Sequence, residues 1–120
     1  MHTVCETPWF RRDAADAGMS EEEVATLVAT LAANPQAGDE MAGTGGCRKV
    51  RVAGRGKGKS GGYRTITFFS GNLLPVFLIT VFSKGERVNL SQRERNELKK
   101  LTQMLTETYQ SRVQKVGQGR

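Results

Sequence analysis

Residues 54–62, Gly54-Arg55-Gly56-Lys57-Gly58-Lys59-Ser60-Gly61-Gly62, set three cations at alternate positions among five glycines. Glycine lets a backbone approach a ligand closely, and like charges packed this densely call for an anion, so the chemistry the pattern suits is the holding of phosphate. Further cations flank it: Arg48, Lys49 and Arg51 before, Arg64 just after, and Lys84 later in the chain. The competing reading is a solvated surface loop whose charges only aid solubility.

Two nucleotide-binding fingerprints overlap this segment. Gly56 to Gly61 satisfies G-x-G-x-x-G, and Gly58-Lys59-Ser60 imitates the end of a P-loop. Both motifs require a helix N-terminus straight afterwards, because that terminus supplies the amides that bind the phosphates. Here Thr65, Ile66, Thr67, Phe68 and Phe69 predict a strand instead, and Ala53 stands where the first P-loop glycine belongs. A protein kinase also covers phosphate with a glycine loop between strands, but 120 residues cannot hold that fold and no H-R-D or D-F-G follows.

A polynucleotide backbone remains, gripped by Arg48, Lys49, Arg51 and Arg55. An RNA substrate would bring its own nucleophile, the 2′-OH, and ask of the protein only alignment, a base, charge stabilisation and an acid. The chain has one histidine, His2, so a histidine pair is excluded, and no acidic cluster adjoins the loop for metal-dependent cleavage; Glu40 and Glu86 are the nearest acids. A metal-free mechanism on Lys and Arg is the economical option. Mutual repulsion among Arg55, Lys57 and Lys59 makes a neutral amine at Lys57 or Lys59 more accessible as a base. Arg64, on the same strand face as Ile66 and Phe68, could fork onto two phosphate oxygens, its alternative being an ordinary cross-strand charge. Lys84 could be a second phosphate clamp or the leaving-group acid, or simply a solvated turn lysine.

The elements that must position these groups follow from capping and periodicity. Thr7-Pro8 predicts a helix over about 8–17, after a short strand at 2–6 and before Gly18. Ser20 and Glu23 form a capping box, and Val24, Leu27, Val28 and Leu31 mark an amphipathic helix over 21–33 that Asn34-Pro35 ends. Residues 47–53 alternate, with Val50 and Val52 on one face and Lys49 and Arg51 on the other. Tyr63 to Phe69 and the apolar run Pro75 to Phe82 complete three strands, the last covered on both faces. Ser91 and Glu94 open a third helix to about residue 111. The expected fold is α+β: a small, mainly antiparallel β-sheet with an N-terminal helical pair and a C-terminal helix, order β-α-α-β-β-β-α, in one domain over 1–111 with a frayed tail over 112–120.

Composition agrees with an acidic partner: 18 Lys and Arg against 12 Asp and Glu give a net charge of +6. Cys5 and Cys47 form no CxxC pair and with His2 are too few for a standard zinc site, which leaves two free thiols. No membrane-spanning run and no secretory leader pattern is present, so the expected location is the cytoplasm.

The runs Gly43-Thr44-Gly45-Gly46-Cys47-Arg48-Lys49-Val50-Arg51-Val52, Gly56-Lys57-Gly58-Lys59-Ser60-Gly61-Gly62-Tyr63-Arg64 and Phe82-Ser83-Lys84-Gly85-Glu86, in this element order, resemble the RelE/HigB superfamily of type II toxins, HigB-type members most closely. The resemblance covers nearly the whole chain. It implies a ribosome-dependent endoribonuclease that cuts mRNA by 2′-OH attack, works without a cofactor and is neutralised by a cognate, DNA-binding antitoxin. It carries the basic catalytic positions to Lys57, Lys59, Arg64 and Lys84, with Arg51 and Arg55 on the RNA backbone. The start of the last helix, Ser91-Gln92-Arg93-Glu94-Arg95, lacks the aromatic residue found in RelE itself, so base stacking would fall to Tyr63 or Phe82. Asn89 stands where related toxins often have an acid. A non-catalytic RNA- or ribosome-binding module would use the same basic hairpin.

Overall fold

A computed structural model describes residues 2–53, 62–71, 73–83 and 90–118, with the side chains of the last helix described as far as Tyr109. It contains β1 (Val4–Glu6), α1 (Pro8–Asp16), α2 (Glu21–Ala33), β2 (Asp39–Glu40), β3 (Cys47–Val52), β4 (Tyr63–Phe68), β5 (Val76–Ser83) and α3 (Gln92–Gln118). One sheet has the order β1-β5-β4-β3-β2, in which β1 runs parallel to β5 and every other neighbour is antiparallel. The fold is the expected α+β arrangement.

Alternation on the strands divides the core in two. Val50, Tyr63, Val76, Leu78 and Val81 pack against Phe10 and Ala14 of α1 and Leu27 and Leu31 of α2. Cys47, Ile66, Phe68, Phe77, Ile79 and Phe82 form the other cluster with Leu98 of α3, and Leu101 and Leu105 add to it. The helical pair and α3 therefore cover opposite faces, and β4 is buried along its whole length.

Each helix begins on a side-chain cap. Thr7 accepts from the Phe10 N–H at 3.2 Å, and its hydroxyl also lies 2.7 Å from the Leu78 carbonyl oxygen of β5, to which it donates. Ser20 and Glu23 exchange bonds of 3.1 and 2.8 Å, and Ser91 and Glu94 repeat the box at 3.2 and 2.9 Å. Strand β1 accompanies β5 only from Val76 to Leu78. Beyond it α1 takes over: Thr7 bonds the carbonyls of Leu78 and Ile79, and Thr80 donates to Asp13 Oδ2 at 2.6 Å. A bulge after the Ile66–Thr80 pair shifts the β4–β5 register, so that Thr67 faces Leu78.

Two elements depart from expectation. Asp39 and Glu40 form a short edge strand, where the sequence reads as a polar turn, because they face Lys49 and Arg48 and gain opposite charges across the ladder. The backbone of α3 continues to Gln118 instead of ending near residue 111. The stretch after Thr108 lacks apolar periodicity, but its Gln, Arg and Lys residues are good helix formers and no proline interrupts them.

The Gly43–Gly46 turn docks α3. Thr44, fully buried, donates to the Met41 carbonyl at 2.7 Å and accepts from the Cys47 N–H at 3.0 Å, while Thr102 of α3 donates to the Thr44 carbonyl at 3.3 Å. Gly45 has φ +79°, and a Cβ there would strike the Thr102 hydroxyl. Gly43 has φ +76° with open space around it. Gly45→Ala is therefore expected to lower unfolding free energy by roughly 3 kcal/mol, and Gly43→Ala by about 1 kcal/mol, as read from urea denaturation. Equal losses would mean that backbone conformation alone sets the requirement.

Candidate nucleic-acid interface

The β3–β4–β5 register brings the expected cations together in rows. Arg51 lies directly opposite Arg64, and Arg64 opposite Phe82; Lys49 pairs with Ile66 in the next row on that face. Lys49, Arg51 and Arg64 thus share the face of the sheet that α3 covers. Arg64 is buried, with 9% of its surface exposed, Lys49 is half-buried and Arg51 is exposed. Neither Arg51 nor Arg64 has a hydrogen-bond acceptor or acidic partner among the described residues.

Burying one charge opposite a like charge is costly. Burial strips water from the Arg64 guanidinium, and a like charge directly across the ladder adds repulsion. An anion on this row would relieve both effects. Two guanidinium forks at one strand end can bind phosphate oxygens and stabilise the extra charge of a pentavalent phosphorus.

The base of the glycine loop is fixed from both sides. Val52, Tyr63 and Ser83 form the adjoining row, and from it the chain enters segments 54–61 and 84–89. A Cβ on Gly62 would come within 2.6 Å of the Val52 carbonyl oxygen, so only glycine fits beside that backbone. Arg55, Lys57, Lys59 and Lys84, like Asn89, lie outside the described residues.

Two of the residues expected at RNA, Arg48 and Tyr63, make contacts within the fold. Arg48 is on the opposite face from Lys49 and Arg51, where its guanidinium donates to the Gly38 carbonyl at 3.1 Å and pairs with Glu40 at 3.7 Å; it braces the β2–β3 edge. The Tyr63 ring is buried against the helical pair, 4% exposed, because neighbouring strand residues point to opposite faces. The Tyr63 hydroxyl donates to Glu23 Oε1 at 3.3 Å and reaches the Gly18 carbonyl at 3.4 Å. Burial, and then the adjacent Glu23 carboxylate, push the phenol above its usual range. Glu23 read only as a capping residue in the sequence, and nothing local signals this second role. Phe82, the other candidate ring, is also buried, in the row of Arg64.

The thiols belong to the scaffold. Cys5 and Cys47 are free, and Cys47 is fully buried in the α3-side core. Among the described residues no group of three or more His, Cys, Asp and Glu is placed to hold a metal, and no helix is long and apolar enough to cross a membrane.

The chain matches the family model described as the RelE toxin of the RelE/RelB toxin-antitoxin system over residues 2–120. The protein belongs to the RelE toxin family. In this RelE-family chain the G-T-G-G run is the turn that docks α3, and Gly62-Tyr63-Arg64 lead into β4, with Tyr63 facing the core and Arg64 facing the cation row.

Burial pushes the Cys47 thiol from 9.0 up to about 11, and a hydrogen bond with Thr44 opposes the shift only in part. The protonated thiol is thus favoured in the fold. Its stabilising effect is complete below pH 9 and is lost as pH rises to about 11, by roughly 2–3 kcal/mol. Urea midpoints should fall over this interval in the wild type and fall less in Cys47→Ala. Native Cys47 should also resist alkylation at neutral pH; rapid labelling of the folded protein would contradict its burial.

Proposed function

We propose that this protein is the toxin of a type II toxin-antitoxin pair, and that it arrests translation as a ribosome-dependent endoribonuclease. The observation that carries the reading is Arg64: a guanidinium 9% exposed, without a partner among the described residues and directly opposite Arg51. Such a pair suits a phosphodiester whose charge rises during reaction. The 2′-OH attacks the adjacent phosphorus, the 5′-oxygen departs with a proton, and the products carry a 2′,3′-cyclic phosphate and a 5′-OH. Arg64 and Arg51 neutralise the phosphorane oxygens, and Lys49 and Arg55 hold the flanking backbone. Lys57 and Lys59 carry the proton transfer, and Lys84 serves the leaving group.

RNA supplies the nucleophile and the basic residues supply the rest, so no cofactor enters the scheme. Ribosome-bound mRNA in the cytoplasm is the substrate, and the ribosome presents it in the conformation that is cut. A cognate antitoxin with its own DNA-binding part covers the basic cleft or apolar helix surface and holds the toxin inactive.

Mapping of RNA 5′ ends on purified ribosome–mRNA complexes tests the assignment. Arg64→Ala is expected to slow cleavage by at least ~100-fold, and Lys57→Ala/Arg64→Ala to abolish it. Full activity in the double variant overturns the assignment, and arrest by the wild type without new 5′ ends indicates a non-catalytic RNA- or ribosome-binding module. A functional cation with an unfavourable neighbour also predicts a stability signature: Arg64→Met, similar in volume and uncharged, should raise the unfolding free energy by about 1 kcal/mol while removing activity.

A further inference from the structure

The strand end that carries Arg51 and Arg64 is held from the far side of the sheet. Tyr63 adjoins Arg64 in the chain and points the other way, into the core under α2. Its hydroxyl meets Glu23 Oε1, and the same oxygen accepts from the Ser20 N–H at 2.8 Å in the capping box. Tyr63 also forms the last described cross-strand row, with Val52 and Ser83, before the chain enters both basic segments. A phenylalanine would fill this space without a polar atom to satisfy. The hydroxyl instead keeps a largely buried carboxylate, 9% exposed at Glu23, on a fixed line between the start of α2 and the first residue of β4. Such a bond fixes direction and height where packing alone tolerates sliding.

We propose that Tyr63 is a positioning residue for RNA cleavage: held by Glu23, it keeps β3 and β4 in the relation that lets Arg51 and Arg64 meet one phosphate. The inference rests on the nuclease reading above. It makes the N-terminus of α2, on the face opposite the cations, a determinant of the catalytic rate.

Single-turnover cleavage of ribosome-bound mRNA, measured well below the unfolding temperature, tests it with three kinds of variant. Tyr63→Phe and Glu23→Ala should each lower the rate constant by roughly tenfold with ribosome affinity unchanged, and the double variant should lose no more than either alone. Glu23→Gln keeps an acceptor oxygen and should cleave at nearly the wild-type rate. Ser20→Ala removes the other half of the capping box, the bond to the Glu23 N–H, without touching Tyr63. It should lower the melting temperature and leave the rate intact. Wild-type cleavage by Tyr63→Phe, or an equal rate loss in Ser20→Ala, overturns the proposal. Residue-resolved amide exchange across the β3–β4 ladder supplies a readout that needs no cleavage: Tyr63→Phe should speed exchange around Arg51 and Arg64 at least fivefold, and Ser20→Ala should not. Unchanged exchange overturns the positioning role. A wild type that yields no new 5′ ends overturns only the nuclease reading, and exchange then decides the positioning role alone.

Discussion

A guanidinium nine-tenths buried and directly opposite a second guanidinium is the constraint around which this sheet is organised. The unfavourable position of Arg64 is offset by neighbours on the same strand. Ile66 and Phe68 share its face and are almost wholly buried, each contributing on the order of 2 kcal/mol against exposure, whereas like charges across a ladder cost up to about 1 kcal/mol. Strand β4 therefore tolerates the cation because its other positions are committed to core. On its opposite face Thr65 and Thr67 are fully buried, and their hydroxyls find no partner among the described residues. These two β-branched side chains fit the pleat at some cost in unmet hydrogen bonding. The strand that buries the cation thus also buries two hydroxyls without partners among the described residues.

The rest of the fold serves that strand by separating two ends of one sheet. At one end Cys47, Phe68 and Phe77 form a cross-strand row beneath α3, with Phe68 and Phe77 stacked at 6.3 Å and Tyr109 set edge-on to Phe77 at 6.1 Å. The Gly43–Gly46 turn fastens α3 there through Thr44 and Thr102. At the other end the rows of Arg51 and Tyr63 border the two basic segments. Helix α1 closes the side of β5 that β1 leaves open, with Thr7 on the Leu78 and Ile79 carbonyls and Asp13 on Thr80, so main-chain groups on that edge are occupied by the protein itself.

Local signals carried most of this architecture. Ser20–Glu23, Ser91–Glu94 and Thr7–Pro8 placed three helix starts because a cap is a contact within four residues of sequence, and the alternation of 47–53 assigned Lys49 and Arg51 to one face because side chains on a strand alternate strictly. What stayed hidden depends on partners distant in the chain. Asp39 and Glu40 become a strand only opposite Lys49 and Arg48; Arg48 is occupied only because Glu40 comes to lie beside it; Tyr63 and Arg64, adjacent in sequence, take opposite roles because α2 covers one face of β4 and α3 the other. The cation row itself was legible as composition. Its register, Arg51 against Arg64, follows from pairing and could not be read from spacing.

The same pairing decides what the glycine segment is not. Dinucleotide and P-loop sites bind phosphate with the free amides at a helix N-terminus, so the residues after the glycines must turn into a helix. Here they are β4, paired on both sides, and its first residue is locked into the core through Tyr63. Among the described residues no helix begins at that position. An anion reaching this end of the sheet meets Arg51 of β3 and Arg64 of β4, which face each other across the ladder. Side-chain cations of this kind act on any phosphate that arrives with suitable geometry, and selectivity must then come from what presents the phosphate. On the proposed reading that is the role of the ribosome: the toxin supplies a fixed pair of charges, and the ribosome supplies the conformation of the RNA placed against them.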